Sequence, residues 1–288
     1  MSLTITKLSP KLGVEIAGID LSQPLGGNMV AEIRQAWLDA NGIALFRGQS
    51  LTTAQHIDFS SHFGSLFGAP GEVPLQETVS RYIHPNHPEI YRVSNKVENG
   101  EPLGRERAGT YWHSDVSFRD CPAGASILHA REVPEIGGDT LFADLTQAYE
   151  ALSETMKDTL APLRAHHDWA VAAATQYSQN VVIADDLEGG NRTVHPVVRT
   201  HAETGRKGLF INPGFVSQLE GFEKAESDAL LGYLYSHAIK PEFLYRHRWC
   251  QGDIVMWDNR TLMHYAIADY GATPRYMERT TVIGETPV

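Results

Sequence analysis

The chain has 288 residues, of which 42% are hydrophobic and 20% are charged, the composition of an ordinary globular protein. Its formal net charge of −11 disfavours binding to nucleic acid or to an anionic membrane surface, and no apolar run approaches the roughly 20 residues of a membrane span. The opening residues "MSLTITKLSPKLG" contain no apolar core of a secretory signal, and two cysteines exclude a disulfide framework, so we expect a cytoplasmic protein.

Residues 1 to 64 predict short strands and two amphipathic helices. Residues 3 to 24 are predicted as short strands broken by Gly and Pro, and "GIALFRG" predicts a short buried strand. The segment "MVAEIRQAWLDANG" has apolar side chains at helical spacing and ends in an Asn-Gly stop. A second helix is predicted for "TTAQHIDFSSHFG", ending at Gly64.

Residues 65 to 108 are rich in Pro, Gly, Asn and Glu and show little periodicity, so we predict mostly loop there. A loop of this length inside a globular chain is typical of a binding element. We therefore expect an active-site lid within this range.

The second half of the chain predicts more strands. The segments "ASILHAREVP" and "GGDTLFAD" predict strands joined by a Gly-Gly turn, and a helix should begin after the N-cap Asp144. We expect an inserted helical and irregular segment at about 145–193. Beyond it we predict a strand pair, a helix over "EKAESDALLGYLYSHAIKP" and three final strands, "EFLYRHRW", "DIVMWDN" and "RYMERTTVIG".

This order of elements is not the regular strand–helix alternation of a doubly wound parallel sheet. Strands with glycine-rich turns dominate the regions that carry the chemistry. The pattern favours a double-stranded β-helix, that is, a jelly-roll or cupin-like barrel buttressed by helices. Such a fold is mainly β and falls within the α+β class. We expect a single domain over residues 1–288.

Two metal-capable side chains, His113 and Asp115, stand one residue apart in "GTYWHSDVSF". If this segment is a strand, both project from the same face with Cα atoms roughly 6.5 Å apart, within reach of one ion. A His-x-Asp pair alone is weak support, because 13 histidines and many aspartates produce such pairs by chance.

A third ligand is His264 in "VMWDNRTLMHYAIADY", after a predicted strand and a turn-like "DNR". Two histidines and one carboxylate form the facial triad of non-haem Fe(II) oxygenases, which leaves three metal positions open. Zinc hydrolases also use mixed His and Asp ligands. By itself, His264 is equally explained as a structural histidine.

Arg275 and Arg279 share one face of "RYMERTTVIG" if that segment is a strand, with Cα atoms roughly 13 Å apart. Burying two guanidiniums inside a barrel costs free energy unless anions pair with them. The planar guanidinium group of arginine can bind a carboxylate or a sulfonate through two parallel hydrogen bonds. The alternative is an edge strand with both arginines in water.

The ordered motifs "WHSDVSF", "GGDTLFAD", "WDNRTLMHYAIADY" and "RYMERTTVIG" resemble the taurine dioxygenase family of Fe(II)/2-oxoglutarate-dependent dioxygenases, including its phenoxyalkanoate-degrading branch. Segments such as "GVEIAGIDLSQPL" and "HPVVRTHAETGRKGLFINPGF" extend the resemblance over almost the whole chain. It implies Fe(II), 2-oxoglutarate and O2 as the reactants, hydroxylation of a small anionic organic substrate, and a homo-oligomer, either dimer or tetramer.

The resemblance also implies residue roles. His113, Asp115 and His264 correspond to the iron ligands, Arg275 and Thr140 to the residues that bind the far carboxylate of 2-oxoglutarate, Arg279 to the arginine that holds the substrate's anionic group, and Trp257 to an aromatic wall beside the cosubstrate. A buried Trp257 is equally explained as core.

Two departures weigh against taurine as substrate. Gly109 stands where taurine dioxygenase has an asparagine in its substrate site, and "FGAPGEVPLQE" replaces a histidine-rich segment. Two other classes stay open from the residues alone. A metal-dependent hydrolase or isomerase on a cupin-like barrel explains the triad but not the paired arginines, and a non-enzymatic anion-binding barrel does not explain an intact triad.

Overall fold

The structure, a computed structural model, describes residues 3–75, 82–176 and 192–288. The α-helices in these ranges are α1 (Gly27–Asp39), α2 (Thr53–Ser61), α3 (Leu145–Glu150), α4 (Glu154–Leu160), α5 (Trp169–Gln176) and α6 (Lys224–Ala238), and a 3-10 helix covers Pro241–Phe243. The strands are β1 (Thr4–Lys7), β2 (Val14–Ala17), β3 (Ile43–Phe46), β4 (Ile83–His84), β5 (His87–Ser94), β6 (Val97–Glu98), β7 (Glu101–Pro102), β8 (Ala123–Glu132), β9 (Thr140–Asp144), β10 (Arg164–Asp168), β11 (Arg192–Pro196), β12 (Val198–Thr200), β13 (Lys207–Leu209), β14 (Val216–Leu219), β15 (Leu244–His247), β16 (Ile254–Asp258), β17 (Leu262–Ala266) and β18 (Tyr276–Ile283).

Two sheets frame the interior. The large sheet has eight strands in the order β1-β2-β3-β16-β8-β18-β5-β4, antiparallel except where β2 pairs with β3. The small sheet has the order β15-β9-β17. Val255 of β16 and Met277 of β18 share a buried cluster with Phe142 of β9 and Leu262 of β17, so the two sheets face each other. The predicted jelly-roll architecture is confirmed.

Helices cover the outer face of each sheet. Trp37 of α1 and Phe59 of α2 pack with Met256 on the large sheet, whereas α3, α4 and α6 pack on the small sheet around Met263. Because side chains alternate along a strand, Trp257 and His264 point the other way, into the space between the sheets. None of the helices in the described ranges has the length and apolar character needed to cross a membrane.

Most predicted elements are present, with two local differences. The predicted helix after Asp144 begins as expected, because the Asp144 side chain accepts from the backbone amides of Thr146 and Gln147. It then divides into α3 and α4, since Ser153 caps a new start by accepting from the Met156 amide. The strands β8 and β9 exist as predicted, but they lie in different sheets.

The prediction of mostly loop for residues 65–108 is wrong for residues 87–94. These form β5, an interior strand of the large sheet that pairs with β18. Ile90 and Tyr91 are buried there, while the neighbouring prolines and asparagines obscure the strand pattern. Residues 76–81 of this range lie outside the described residues.

The segment predicted as helical and irregular at about 145–193 also contains a strand. β10 pairs with both β11 and β14 in a separate three-stranded sheet, so this segment is not only helical and irregular. Residues 177–191 of this prediction lie outside the described residues.

Candidate active site

The three side chains singled out as metal ligands converge in the space between the sheets. One ligand atom each from His113, Asp115 and His264 lies within 4.8 Å of the other two, and all three residues are buried. The two Nε2 atoms lie 3.7 Å and 3.9 Å from the carboxylate oxygens of Asp115. The group has the size and the donor atoms of a mononuclear metal site.

The backbone brings these ligands together differently from the prediction. His113 makes a single antiparallel bridge to His264, with N–O distances of 3.1 Å and 2.8 Å. The chain then turns at Asp115 and Val116, and the φ of Val116 is 46°, a left-handed conformation that a β-branched residue rarely adopts. The assumption that His113 and Asp115 share one face of a strand is therefore wrong, and a tight turn aims the carboxylate instead.

The Asp115 carboxylate is held by one donor on each oxygen. Ser126 donates to Oδ2 at 2.7 Å, and Arg279 Nη1 donates to Oδ1 at 2.6 Å. Burial by itself raises the pKa of Asp115, but the nearby Arg279 and the two histidines outweigh it and lower that pKa below its ordinary value. Asp115 therefore stays ionised, as a metal ligand must.

The two histidines are held in the neutral form that binds metal. Burial lowers the pKa of His113 and lowers that of His264 well below its usual range. His113 Nδ1 lies 2.8 Å from the carbonyl oxygen of Tyr111, so a proton on Nδ1 leaves the Nε2 lone pair facing Asp115. Two neutral imidazoles and one carboxylate match the donor set of a non-haem Fe(II) ion.

A second layer of polar residues orients Asp115. Asn259 Oδ1 accepts from the Asp115 amide at 3.1 Å, and Asn259 Nδ2 donates to the Ser126 hydroxyl at 3.0 Å. Trp257 Nε1 donates to the same Asn259 oxygen at 3.1 Å. Sequence reasoning missed Ser126 and Asn259. The motif "WDNR" could have pointed to Asn259, but Ser126 carries no sequence signal.

Both predicted arginines line the cavity beside the metal ligands. The alternative of an edge strand in water is wrong, because β18 lies between β8 and β5 and Arg275 is only 4% exposed. The Nε atoms of Arg275 and Arg279 are buried without a hydrogen-bond partner. Arg275 makes no ion pair with a carboxylate of the described residues, and burial lowers its pKa. Its guanidinium lies over the ring of Tyr270, 5.6 Å from the centroid.

Thr140 and Trp257 also line this cavity. The Thr140 hydroxyl oxygen accepts from Trp249 Nε1 at 3.0 Å, which leaves the hydroxyl hydrogen for a ligand. The Trp257 ring lies 4.8 Å from the ring of His264. Trp257 is thus both a core residue and a wall of the site, so the two alternatives for it are compatible.

The remainder of the cavity is apolar and aromatic, and sequence reasoning did not predict it. Its lining includes Leu75, Phe118, Trp169 and Phe215, together with one further cation, Arg105. The aromatic residues gave no signal, because buried aromatic side chains are common in any core. The cavity therefore combines a polar, cationic end with an apolar end.

Glycine at position 109 keeps the region beside His113 open. Its φ is 73°, and an added Cβ atom would lie 2.8 Å from Cε1 of His113. A longer side chain there would be strained and would press on the imidazole. The backbone conformation at position 109 therefore favours the glycine that stands here in place of the asparagine of taurine dioxygenase.

Comparison with known proteins places this geometry in a family. Residues 4–281 match the family described as "Taurine catabolism dioxygenase TauD, TfdA family". The chain is 36% identical, over the full length of both proteins, to the alpha-ketoglutarate-dependent 2,4-dichlorophenoxyacetate dioxygenase of Cupriavidus pinatubonensis. It is 35% identical to the alkylsulfatase of Acinetobacter baylyi, covering 98% of this chain and 86% of that protein.

A solved structure agrees. AAD-2, crystallised in complex with Mn(II) and N-oxalylglycine, superposes with a TM-score of 0.82 at 30% identity, covering 100% of this chain and 99% of that chain. The match over nearly the whole sequence and the shared architecture lead to one conclusion: the chain belongs to the TauD/TfdA family of dioxygenases.

Proposed function

We propose that the protein is an Fe(II)- and 2-oxoglutarate-dependent dioxygenase that hydroxylates a small anionic organic substrate, either a sulfonate, a sulfate ester or a carboxylate. If the hydroxylated carbon carries a heteroatom, the product then collapses to release sulfite, sulfate or an alcohol. One observation carries the proposal: a buried His-Asp-His group shares its cavity with Arg275 and Arg279, whose Nε atoms are buried without a hydrogen-bond partner. A metal hydrolase or a plain anion-binding barrel explains only part of this arrangement.

In this assignment His113, Asp115 and His264 hold the iron ion. Iron with 2-oxoglutarate and O2 supplies the oxidising power for the C–H bond, and the cosubstrate leaves as succinate and CO2. The protein's residues position the reactants and exclude water. Ser126 and Arg279 fix the Asp115 carboxylate from two sides and thereby set the direction of its oxygens.

Arg275 and Thr140 bind the far carboxylate of 2-oxoglutarate. The Arg275 guanidinium is buried and lacks a carboxylate partner among the described residues, so it is ready for a charge-assisted, bidentate pair. The Thr140 hydroxyl adds one donor, since its oxygen is already occupied by Trp249. Trp257 closes the side of the cosubstrate pocket and keeps water out.

Arg279 has a double role in this proposal. Its Nη1 holds Asp115, while its Nε atom is buried without a partner. The remaining donors are assigned to the anionic group of the substrate. This places the substrate's charge close to the metal ligand and its C–H bond within reach of the oxidant.

Substrate classes of the relatives support an anionic substrate. One relative is named for 2,4-dichlorophenoxyacetate, an anion with an apolar body, and another is named an alkylsulfatase. The cavity of this chain has the same two parts, a cationic end and an apolar end. We therefore favour an anion with an apolar body over taurine.

Three further points belong to the proposal. Residues 1–288 act as one dioxygenase domain, and parts of the range 65–108 serve as the lid, since Leu75 and Ala108 line the cavity. The enzyme works in the cytoplasm, where its two exposed thiols stay reduced. It assembles as a dimer or tetramer, as the family resemblance implies.

The test is spectroscopic and chemical. Anaerobic addition of Fe(II) and 2-oxoglutarate should give a visible charge-transfer band, which His113→Ala and Asp115→Ala should abolish and His62→Ala, an exposed histidine, should keep. With O2, the protein should release succinate in response to an anionic substrate. A band that survives in both ligand variants, or turnover without O2, would overturn the assignment.

A further inference from the structure

The turn that aims the Asp115 carboxylate has a strained backbone. Val116 has a φ of 46°, and the branched Cβ atom of valine makes this left-handed region costly. Such a conformation persists only where contacts with the surrounding structure hold it in place. We therefore expect the chain to be fixed on both sides of Val116.

The residues before Val116 are fixed against the connection between β16 and β17. The Ser114 hydroxyl donates to the Leu262 carbonyl oxygen at 2.8 Å, and the Asp115 amide donates to Asn259 Oδ1 at 3.1 Å. Ser114 and Asn259 are both buried. These two hydrogen bonds hold the start of the turn.

The residue after Val116 is held from a different part of the chain, by Asn212. Asn212 Nδ2 donates to the Ser117 hydroxyl oxygen at 3.1 Å, and the same hydroxyl makes a hydrogen bond with His167 Nδ1 at 3.0 Å. Ser117, Asn212 and His167 are fully buried. Buried hydrogen bonds of this kind are stronger than those that face water, so they fix the end of the turn.

Asn212 is itself held in one orientation. The Phe215 amide donates to Asn212 Oδ1 at 2.9 Å, and because a backbone amide can only donate, the side-chain nitrogen of Asn212 faces Ser117. The carbonyl oxygen of Asn212 accepts from the Val216 amide at 3.0 Å and from the Tyr235 hydroxyl at 3.3 Å. Asn212 is therefore anchored to both β14 and α6.

Gly214 brings the segment of Asn212 next to the metal-binding segment. Its amide donates to the Trp112 carbonyl oxygen at 3.1 Å. A Cβ atom at position 214 would lie 2.7 Å from the ring of Tyr111 and 3.0 Å from the Cβ atom of His113, so this close approach needs glycine. The residues "NPGF" thus contact the chain both before and after Asp115.

We propose that Asn212 is a positioning residue of the metal site, which acts on Asp115 through Ser117. The identity of the metal in this inference rests on the proposed dioxygenase function. Asn212 holds Ser117, and Ser117 holds the end of the strained turn. Without the Asn212 amide the turn can relax toward an ordinary backbone conformation, and the Asp115 carboxylate then turns away from the two histidines.

The experiment is a double-mutant cycle of Asn212→Ala and Ser117→Ala, and it measures the affinity of the protein for Fe(II) by anaerobic competition with a chelator. Loss of a residue that orients a metal ligand directly weakens metal binding about 10- to 100-fold. Asn212 acts one residue further away, so Asn212→Ala should weaken Fe(II) binding about 3- to 10-fold. The double variant should bind Fe(II) no more weakly than Ser117→Ala alone, because both changes break the same link.

Ser227→Ala is the matched control. Ser227 is fully buried, and its hydroxyl accepts from the Leu219 amide at 2.9 Å, so this change removes a buried hydrogen bond between α6 and β14. It should lower Tm and leave the affinity for Fe(II) unchanged. A loss of Fe(II) affinity in Ser227→Ala as large as that in Asn212→Ala would reflect general destabilisation and would overturn the inference.

Ser117→Ala also tests the link from its other end if Asn212→Ala does not fold. Wild-type affinity for Fe(II) in either folded variant, or fully additive losses in the double variant, would contradict the positioning role of Asn212. A wild type that binds Fe(II) but shows no charge-transfer band with 2-oxoglutarate and no succinate release would instead refute the proposed function itself.

Discussion

Replacing Arg275 by methionine should make the ligand-free protein more stable and, at the same time, strongly weaken its response to 2-oxoglutarate. Arg275 is 4% exposed, one of its donors is buried without a partner, and no carboxylate of the described residues pairs with it. The protein therefore holds a desolvated cation whose natural partner is a ligand. Methionine fills a similar volume without a charge.

The size of both effects follows from this environment. An unpaired buried ion costs several kcal/mol after relaxation, and the ring of Tyr270 recovers about 0.5–2 kcal/mol of that through a cation–π contact. We expect a net stabilisation of about 1–3 kcal/mol, which raises Tm by about 2–4 °C for each kcal/mol. Loss of the charge-assisted pair should cost 2-oxoglutarate binding about 2–5 kcal/mol, a weakening of about 30-fold to more than a thousand-fold.

Thermal unfolding with and without 2-oxoglutarate measures both effects in one assay. Excess cosubstrate at about 100 times the wild-type Kd should stabilise the wild type by about 2.7 kcal/mol and should stabilise Arg275→Met by about 0.9 kcal/mol or less. Arg131→Met is the control of opposite sign. Arg131 pairs with Glu278 at 2.6 Å, so its loss should destabilise the ligand-free protein by about 1–3 kcal/mol and leave the 2-oxoglutarate response intact. A lower Tm for Arg275→Met with the ligand response preserved would refute this reasoning.

Two further predictions concern Ser126, which contacts the Asp115 carboxylate, and the buried histidines His56 and His129. Ser126→Ala removes the hydrogen-bond donor to Asp115 Oδ2, so the affinity of the protein for iron should fall about 10- to 100-fold. Competition with a chelator measures this affinity, and circular dichroism should show an intact fold. An unchanged iron affinity would contradict the role of Ser126 in positioning Asp115. His56 and His129 are buried, which lowers their pKa values to about 3 and about 4, so the unfolded chain binds more protons than the folded one below pH about 6.5. Stability to denaturant should therefore fall with decreasing pH by about 1.4 kcal/mol per buried histidine per pH unit, and His129→Gln should reduce the slope between pH about 6 and 5 by about one such share; an unchanged slope in this variant would exclude this linkage.

The sequence was sufficient for much of the architecture. The apolar run in "DIVMWDN" predicted β16, and the helical spacing in "MVAEIRQAWLDANG" predicted α1. A short continuous apolar run is typical of a strand buried on both faces, whereas helical spacing of apolar residues arises from one-sided burial. β5 carries a weaker signal, because Pro88 and Asn95 flank its buried centre and resemble turn residues. Its pairing with β18 is a long-range contact that no local pattern encodes.

The sequence indicated which residues belong to the candidate site but not how these residues contact one another. The spacing of His113 and Asp115 suggested a shared strand face, but a turn with a left-handed Val116 aims the carboxylate. The Arg279–Asp115 contact joins residues 164 positions apart, and neither residue type reveals its partner in the sequence. Only the folded chain shows that one arginine both supports a metal ligand and faces the cavity.

Buried arginines elsewhere in the chain clarify what is unusual about the cavity. Arg260 contacts Asp258 at 2.7 Å, and Arg199 contacts Glu285 at 2.6 Å. In these places the fold supplies the carboxylate, as the high cost of an unpaired buried cation requires. Arg275 has no such partner among the described residues, although it is equally buried. A fold that pairs Arg199 and Arg260 with its own carboxylates, and gives Arg275 none among the described residues, has left that anion to a ligand.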